Sequence, residues 1–265
     1  MTGDRVELAC TVRGEGRPVV LLHGLYGSGG NLNRFVRLLA DRYQVLAPDL
    51  RNHGRSPHHA RMDYEAMAAD VGALLERHGI GEAAVLGHSM GGKVAMMLAL
   101  EQPERVAALI AADIAPVSYQ HGHDTVIAAL QAVDIREAGS RRDVDRALSA
   151  YIHSPGVRQF LVTNLVPQRD GYGWRIPLQI LAEAVPAIEG FPDSDGRYTG
   201  PTLFLYGDQS EYFVPERHAE AARRLFPDAE LEALQGAGHW LHAEQPEAFG
   251  AAVERFLDRN YPPGS

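Results

Sequence analysis

Ala83-Ala84-Val85-Leu86-Gly87-His88-Ser89-Met90-Gly91-Gly92-Lys93 runs from an unbroken apolar stretch, through a serine flanked by glycines, into a segment with helical spacing that continues to about residue 102. A short apolar run without alternation suits a strand buried on both faces of a parallel sheet. Gly87-His88-Ser89-Met90-Gly91 is a G-x-S-x-G, and a strand before it with a helix after it is the setting in which that motif carries chemistry. Small residues at 87 and 91 permit a sharp turn that lifts the Ser89 hydroxyl at the helix start. The free N–H groups and the positive end of the helix dipole favour developing negative charge there. Ser89 is therefore the candidate nucleophile, and the rest of the chain is read around it.

The same alternation recurs on both sides. Pro18–Leu22 precedes a helical stretch near 31–41, Gln44–Pro48 precedes a polar loop and a helix near 64–78, and Val106–Ala112 ends at Asp113. Strands alternating with helices of this length form βαβ units with right-handed crossovers, which predicts an α/β fold with a mostly parallel, doubly wound sheet. Residues 5–12 alternate (Val6, Leu8, Cys10, Val12) and read as an antiparallel edge strand. From about 116 the strands stop. The stretches 126–133, 144–152, 159–165 and 178–187 have helical spacing, punctuated by Pro155, Pro167, Pro177, Pro186 and Pro192. This predicts an all-helical cap at 116–199, inserted into a core made of 1–115 and 200–265. Strand character returns at 202–206 and 229–234, with helices near 214–226 and 246–259.

His23-Gly24-Leu25-Tyr26-Gly27-Ser28 follows the first parallel strand. A glycine there lets the backbone turn, and the N–H groups of Leu25 and Met90 are the predicted oxyanion donors. Removing one such donor typically costs ~2.7–4 kcal/mol in barrier. Gly27, Gly29 and Gly30 lack the spacing of a phosphate-binding or dinucleotide loop. Gly236-Ala237-Gly238-His239-Trp240 follows the last apolar strand. Among 12 histidines, His239 is the favoured base, because the glycines before it can place an imidazole. His242, three residues on, is the rival. His23 and His88 flank the motifs and read as structural, orienting loops. His53, His58 and His59 lie in a polar loop without metal-ligand spacing. For the acid that orients the base, Asp113 stands directly after an apolar run, and burying a carboxylate without a partner is costly. An imidazolium is such a partner. Asp113 is the preferred acid and Asp208 the alternative. Tyr26, Tyr119, Tyr206 and Trp240 read as lining a substrate pocket between sheet and cap.

The net charge is −9, from 25 Lys+Arg against 34 Asp+Glu, which argues against a nucleic-acid partner. With one cysteine, Cys10, no disulfide forms within the chain, which suits a reducing cytoplasm. Cys10 sits in a strand-like run and reads as a core residue rather than a reactive thiol. The first 20 residues lack signal-peptide character, and no apolar run reaches the ~18 residues of a membrane span. The expected partner is a small molecule, and the chemistry calls for no metal and no cofactor.

Together these motifs resemble the α/β-hydrolase superfamily, and within it the YbfF-like carboxylesterase/thioesterase group. The resemblance is carried by His23-Gly24-Leu25-Tyr26-Gly27-Ser28, Asp49-Leu50-Arg51-Asn52-His53-Gly54-Arg55-Ser56, Gly87-His88-Ser89-Met90-Gly91-Gly92-Lys93, Asp113-Ile114-Ala115-Pro116-Val117 and Gly236-Ala237-Gly238-His239-Trp240. It implies an α/β-hydrolase fold and hydrolysis of short acyl esters, or of acyl-CoA thioesters in some members. It also implies that the loop from Asn52 to Ser56 is structural. In most of the superfamily the acid lies three residues after a glycine that ends the strand at 202–206. Here the glycine is Gly207 and the third residue is Ser210, a departure typical of this group. The superfamily's other acid position is the end of the preceding parallel strand, where Asp113 stands, and Ser210 would add a hydrogen bond to the His–Asp pair. Serine rather than aspartate at the elbow argues against dehalogenase and epoxide hydrolase chemistry. A cofactor-free haloperoxidase, a C–C bond hydrolase and a non-catalytic receptor remain as alternatives on the same scaffold.

Overall fold

The first half of the chain builds β1 (Cys10–Arg13), β2 (Pro18–Leu22), α1 (Asn33–Leu39), β3 (Gln44–Pro48), α2 (Tyr64–Arg77), β4 (Ala83–His88), α3 (Met90–Glu101) and β5 (Val106–Ala112). The second half adds α4 (His123–Ala132), α5 (Arg141–Leu148), α6 (Pro155–Leu161), β6 (Leu165–Pro167), β7 (Tyr172–Trp174), α7 (Leu178–Glu189), β8 (Thr202–Gly207), α8 (Pro215–Leu225), β9 (Glu230–Leu234), α9 (Leu241–Glu244) and α10 (Pro246–Asn260). This computed structural model describes residues 4–119, 122–136, 138–169 and 171–264.

Seven strands form one sheet in the order β1-β3-β2-β4-β5-β8-β9. Only β1 runs antiparallel, against β3 at the edge, and the other pairings are parallel. Successive side chains of a strand point to opposite faces, and the core divides accordingly. Val20, Leu22, Leu46, Val85 and Leu109 pack with α2 and α3 on one face. Val19, Leu21, Val45, Leu86 and Ile110 pack with α1 and α10 on the other. The apolar run from Ala83 to Leu86 is thus what a doubly covered strand requires, and all six residues of β4 are buried.

The edge strand is shorter than the alternation at 5–12 predicts. Val6 and Leu8 are buried, but the Val6 N–H donates to Asp70 Oδ1 at 2.7 Å rather than to a neighbouring strand. The alternation recorded burial, not ladder pairing. That Asp70 also receives Arg51 Nε at 2.7 Å, with both side chains fully buried. Arg51 donates further to the carbonyls of Arg61, Asp4 and Ala66, so a buried guanidinium is tolerated because its donors are used. This knot fixes the loop after β3.

Between β5 and β8 the expected helices are present, but the stretch is not all-helical. β6 and β7 form an antiparallel hairpin, Leu165 opposite Trp174. The 159–165 reading fails only at its last residue: α6 passes into a 3-10 turn at Val162–Asn164, and Leu165 opens β6. Three-residue strands are too short to show a period of two against the helical background. Among the described residues no helix is long and apolar enough to cross a membrane.

The C-terminal ends of β4, β5, β8 and β9 converge on one edge of the sheet, where open α/β folds place their ligands. Ser89, Asp113, Ser210 and His239 lie just beyond these four ends.

Candidate active site

Ser89 follows β4 with φ 53° and ψ −121°, a left-handed conformation that costs a side-chain-bearing residue on the order of 1–3 kcal/mol. The surroundings impose it. Ser89 N donates to Ala112 O at 3.0 Å. A Cβ at Gly87 would lie 2.0 Å from Gly91 O, and one at Gly91 would lie 2.4 Å from Leu22 O. Both glycines of the motif are therefore close-approach positions. The Ser89 side chain makes no capping bond to its own helix. Its Oγ instead lies 3.1 Å from His239 Nε2.

On the far side of the ring, His239 Nδ1 is 2.7 Å from Asp113 Oδ2. Asp113 is fully buried. It accepts from Ser210 Oγ at 2.5 Å through Oδ2 and from Gly207 N at 3.1 Å through Oδ1. With the Nδ1 proton held toward Asp113, the Nε2 lone pair faces Ser89. Asp208 stands elsewhere: it accepts from Gly236 N at 2.7 Å and so steadies the loop that carries His239. The Tyr212 ring stacks on the imidazole, centroids 3.5 Å apart and 14° from parallel.

The neighbouring His88 holds backbone. His88 Nε2 donates to the His239 carbonyl at 2.8 Å, and burial pushes its pKa down to about 3, keeping it neutral. His242, the rival base, has its ring centroid 4.3 Å from that of His88. Burial and that neighbour push its pKa well below the ordinary histidine value. The Ser89 hydroxyl is bonded to His239, not to His242.

Leu25 borders the cavity above Ser89, and Met90 is the first residue of α3. Among the described residues no protein acceptor takes either N–H. The next residue, Tyr26, has φ 62° and donates its N–H to His53 Nε2 at 3.1 Å, while His53 Nδ1 donates to Arg51 O at 2.8 Å. His23 repeats the pattern, with Nδ1 to Gly24 O at 2.8 Å and Leu50 N to Nε2 at 3.0 Å. Each neutral imidazole thus serves as one donor and one acceptor, and burial lowers both pKa values, that of His53 to about 3. The sequence places His53 in a polar loop. The structure makes it a buried strut beneath Tyr26, and only the fold brings the two together.

A cavity of about 310 Å³ opens above Ser89 and His239. Tyr26 and Trp240 line it, with Leu25, Val126, Val157, Phe160 and Leu161 completing an apolar wall. Tyr119 faces a smaller adjoining recess of about 20 Å³, shared with Ser89 and Lys93. Tyr206 is the exception among the predicted lining residues: it borders neither space and packs 5.2 Å from Phe213. It belongs to the β8 ladder, opposite Ala233, whereas the site begins past the strand end. His123, Phe160 and Tyr212 were not legible, because their place at the site comes from packing across the chain. Cys10 is partly buried against the core, and burial pushes its thiol up to about 11.

With the elbow, the His–Asp pair and the strand order in place, the chain belongs to the α/β-hydrolase fold family, whose model matches residues 17–246. It is a serine-hydrolase-type member with esterase and lipase relatives. It is 43% identical to the sn-1-specific diacylglycerol lipase ABHD11 of Mus musculus, over 90% of this chain and 80% of that one. It is 38% identical to the esterase YbfF of Escherichia coli strain K12, over 91% and 93%. Among solved structures, a marine microorganism esterase superposes with a TM-score of 0.91 at 39% identity, covering 95% of this chain and all of that one.

Proposed function

We propose that this chain is a cytoplasmic carboxylesterase that hydrolyses esters of small acyl groups, and thioesters of the same acids, through an acyl-enzyme on Ser89. The 116–199 segment acts as a cap over the sheet edge, and the acyl chain lies against its apolar residues. His239 takes the proton from Ser89 Oγ as the oxygen attacks the ester carbonyl. The oxyanion rests on the N–H groups of Leu25 and Met90. His239 returns the proton to the departing alcohol or thiol, and water repeats the sequence to free the acid. Asp113 holds the tautomer and stabilises the imidazolium. The substrate is a small molecule, and nucleic acid has no part in the reading.

The observation that carries this proposal is the pair of contacts through one imidazole, 2.7 Å to Asp113 and 3.1 Å to Ser89, at the floor of an apolar cavity. The test is release of 4-nitrophenol from its acetate and butyrate esters. Turnover that disappears in Ser89→Ala is the expected result. No release at high protein concentration would favour a ligand-binding role, and full turnover in Ser89→Ala would remove Ser89 as nucleophile.

A further inference from the structure

Lys93 lies on α3, one helical turn after Ser89, and is 1% exposed. Its Nζ donates to Glu189 O at 3.0 Å and Gly190 O at 2.5 Å. Both are neutral carbonyls at the end of α7, where free C=O groups and the negative end of the dipole attract a cation. The rings of Tyr64 and Tyr119 stand 5.5 and 4.8 Å from Nζ, within cation–π reach. Burial pushes the ammonium down to about 7, against the opposing pull of the Glu189 carboxylate. A buried cation held by neutral groups is a poor device for stability, since a well-packed apolar side chain would often serve better. The fold keeps it at a particular place, and the contacts leading away from that place show what it holds.

They run in a circuit. Tyr119 N donates to the same Glu189 carbonyl at 2.8 Å. Tyr119 Oη donates to Tyr212 O at 2.5 Å. The Tyr212 ring is stacked on His239, and His239 Nε2 comes back to Ser89 Oγ, whose helix carries Lys93. Tyr64 Oη, donating to Ile188 O at 2.6 Å, pins the preceding carbonyl of α7 from the core. The geometry points to Lys93 as a positioning residue for acyl transfer: it anchors the end of α7 and, through Tyr119 and Tyr212, fixes the plane of the His239 imidazole against Ser89. This rests on the reading of Ser89 and His239 as nucleophile and base. The leverage is large, because a misplacement of about 1 Å at reacting groups can cost on the order of a hundredfold in rate.

The experiment uses Lys93→Met, which removes the ammonium and keeps an apolar stem, with Lys93→Arg and Tyr119→Phe beside it. With 4-nitrophenyl butyrate, Lys93→Met should lower kcat about tenfold and leave KM within about twofold, as for lost alignment rather than lost binding. Phosphorylation of Ser89 by diethyl 4-nitrophenyl phosphate should slow by the same factor. Lys93→Arg should recover part of the loss. Tyr119→Phe should reproduce it, and the double variant Lys93→Met with Tyr119→Phe should lose little more than either alone, because one route is cut twice. Wild-type kcat in Lys93→Met, or losses that multiply in the double variant, would overturn the inference while leaving the esterase reading intact. If Lys93→Met does not melt cooperatively, Tyr119→Phe decides: unchanged kcat overturns the inference, and a tenfold loss at constant KM supports it. A wild-type protein inert to both ester and organophosphate would overturn the esterase reading first and this one with it.

Discussion

His239 Nδ1 lies 2.7 Å from Asp113 Oδ2, a bond that joins the ends of β5 and β9 across 126 residues of sequence. The carboxylate is fully buried and also receives the Ser210 hydroxyl and the Gly207 N–H. The usual acid position, three residues past Gly207, is thus filled by a donor that steadies the carboxylate arriving from the neighbouring strand.

Asp113→Asn keeps the shape but offers an amide that can favour the wrong imidazole tautomer. It should lower kcat by about 10⁴-fold, the order seen when such an acid is neutralised in place. Asp208→Asn retains an oxygen for Gly236 N and should stay within about threefold of wild type, since a neutral backbone bond is worth only about 1 kcal/mol net. Steady-state kinetics on the two variants decide the acid. The reverse pattern would move that role to Asp208.

The elbow gives a prediction about space. Gly87→Ala and Gly91→Ala place a methyl against main-chain carbonyls at 2.0 and 2.4 Å. Backbone cannot rotate aside as a side chain can, so each variant should lose at least about 2 kcal/mol of stability, toward the upper end for overpacking. Turnover should fall further than stability does, because the strained Ser89 turn is what moves. Gly81→Ala, where a methyl meets nothing within 4 Å, should melt within a degree or two of wild type, as for a surface change of about 0.5 kcal/mol. Thermal melts beside activity assays check all three.

What the sequence disclosed follows from how local each signal is. β4, the turn at Ser89 and α3 are contiguous, so period, glycine spacing and motif agree within eleven residues, and Asp113 betrays itself by being charged at the end of an apolar run. His239 is readable from the glycines before it. Tyr212, by contrast, has no local mark: it matters because the fold stacks its ring on an imidazole from another loop. His53 looks like a surface residue until Arg51 and Asp70 bury the loop around it. The β6–β7 hairpin is invisible because strands of three residues carry no period.

The buried neutral histidines predict an acid limit to stability. Burial holds His53 and His88 at about 3, against about 6.5 in an unfolded chain. Between those values the unfolded state binds protons that the folded state refuses, so stability is fully present above about pH 6.5 and falls as pH drops toward 3. The slope should be on the order of 1.4 kcal/mol per pH unit for each histidine. Urea unfolding at pH 4.5, 5.5, 6.5 and 7.5 measures it, and His53→Gln should flatten the curve while lowering its plateau. A stability that does not change from pH 7.5 to 4.5 would mean that these rings titrate normally.

The cavity sets an acyl-length limit. Its volume of about 310 Å³ is far above the roughly 10–15 Å³ that a single enclosed water needs, which leaves room for an acyl chain of several carbons beyond the reacting carbonyl. Each methylene moved from water onto that wall gains about 0.8 kcal/mol, so kcat/KM should climb about three- to fourfold per methylene from acetate. It should level once the space between Val126, Val157 and Phe160 is filled. Phe160 and Trp240, with ring centroids 6.0 Å apart, stand together in that wall. Phe160→Ala should therefore move the optimum toward longer chains and weaken turnover of short ones. A 4-nitrophenyl ester series from acetate to dodecanoate reads both effects. A steady decline from acetate onward in the wild type would show that the acyl chain does not enter this cavity.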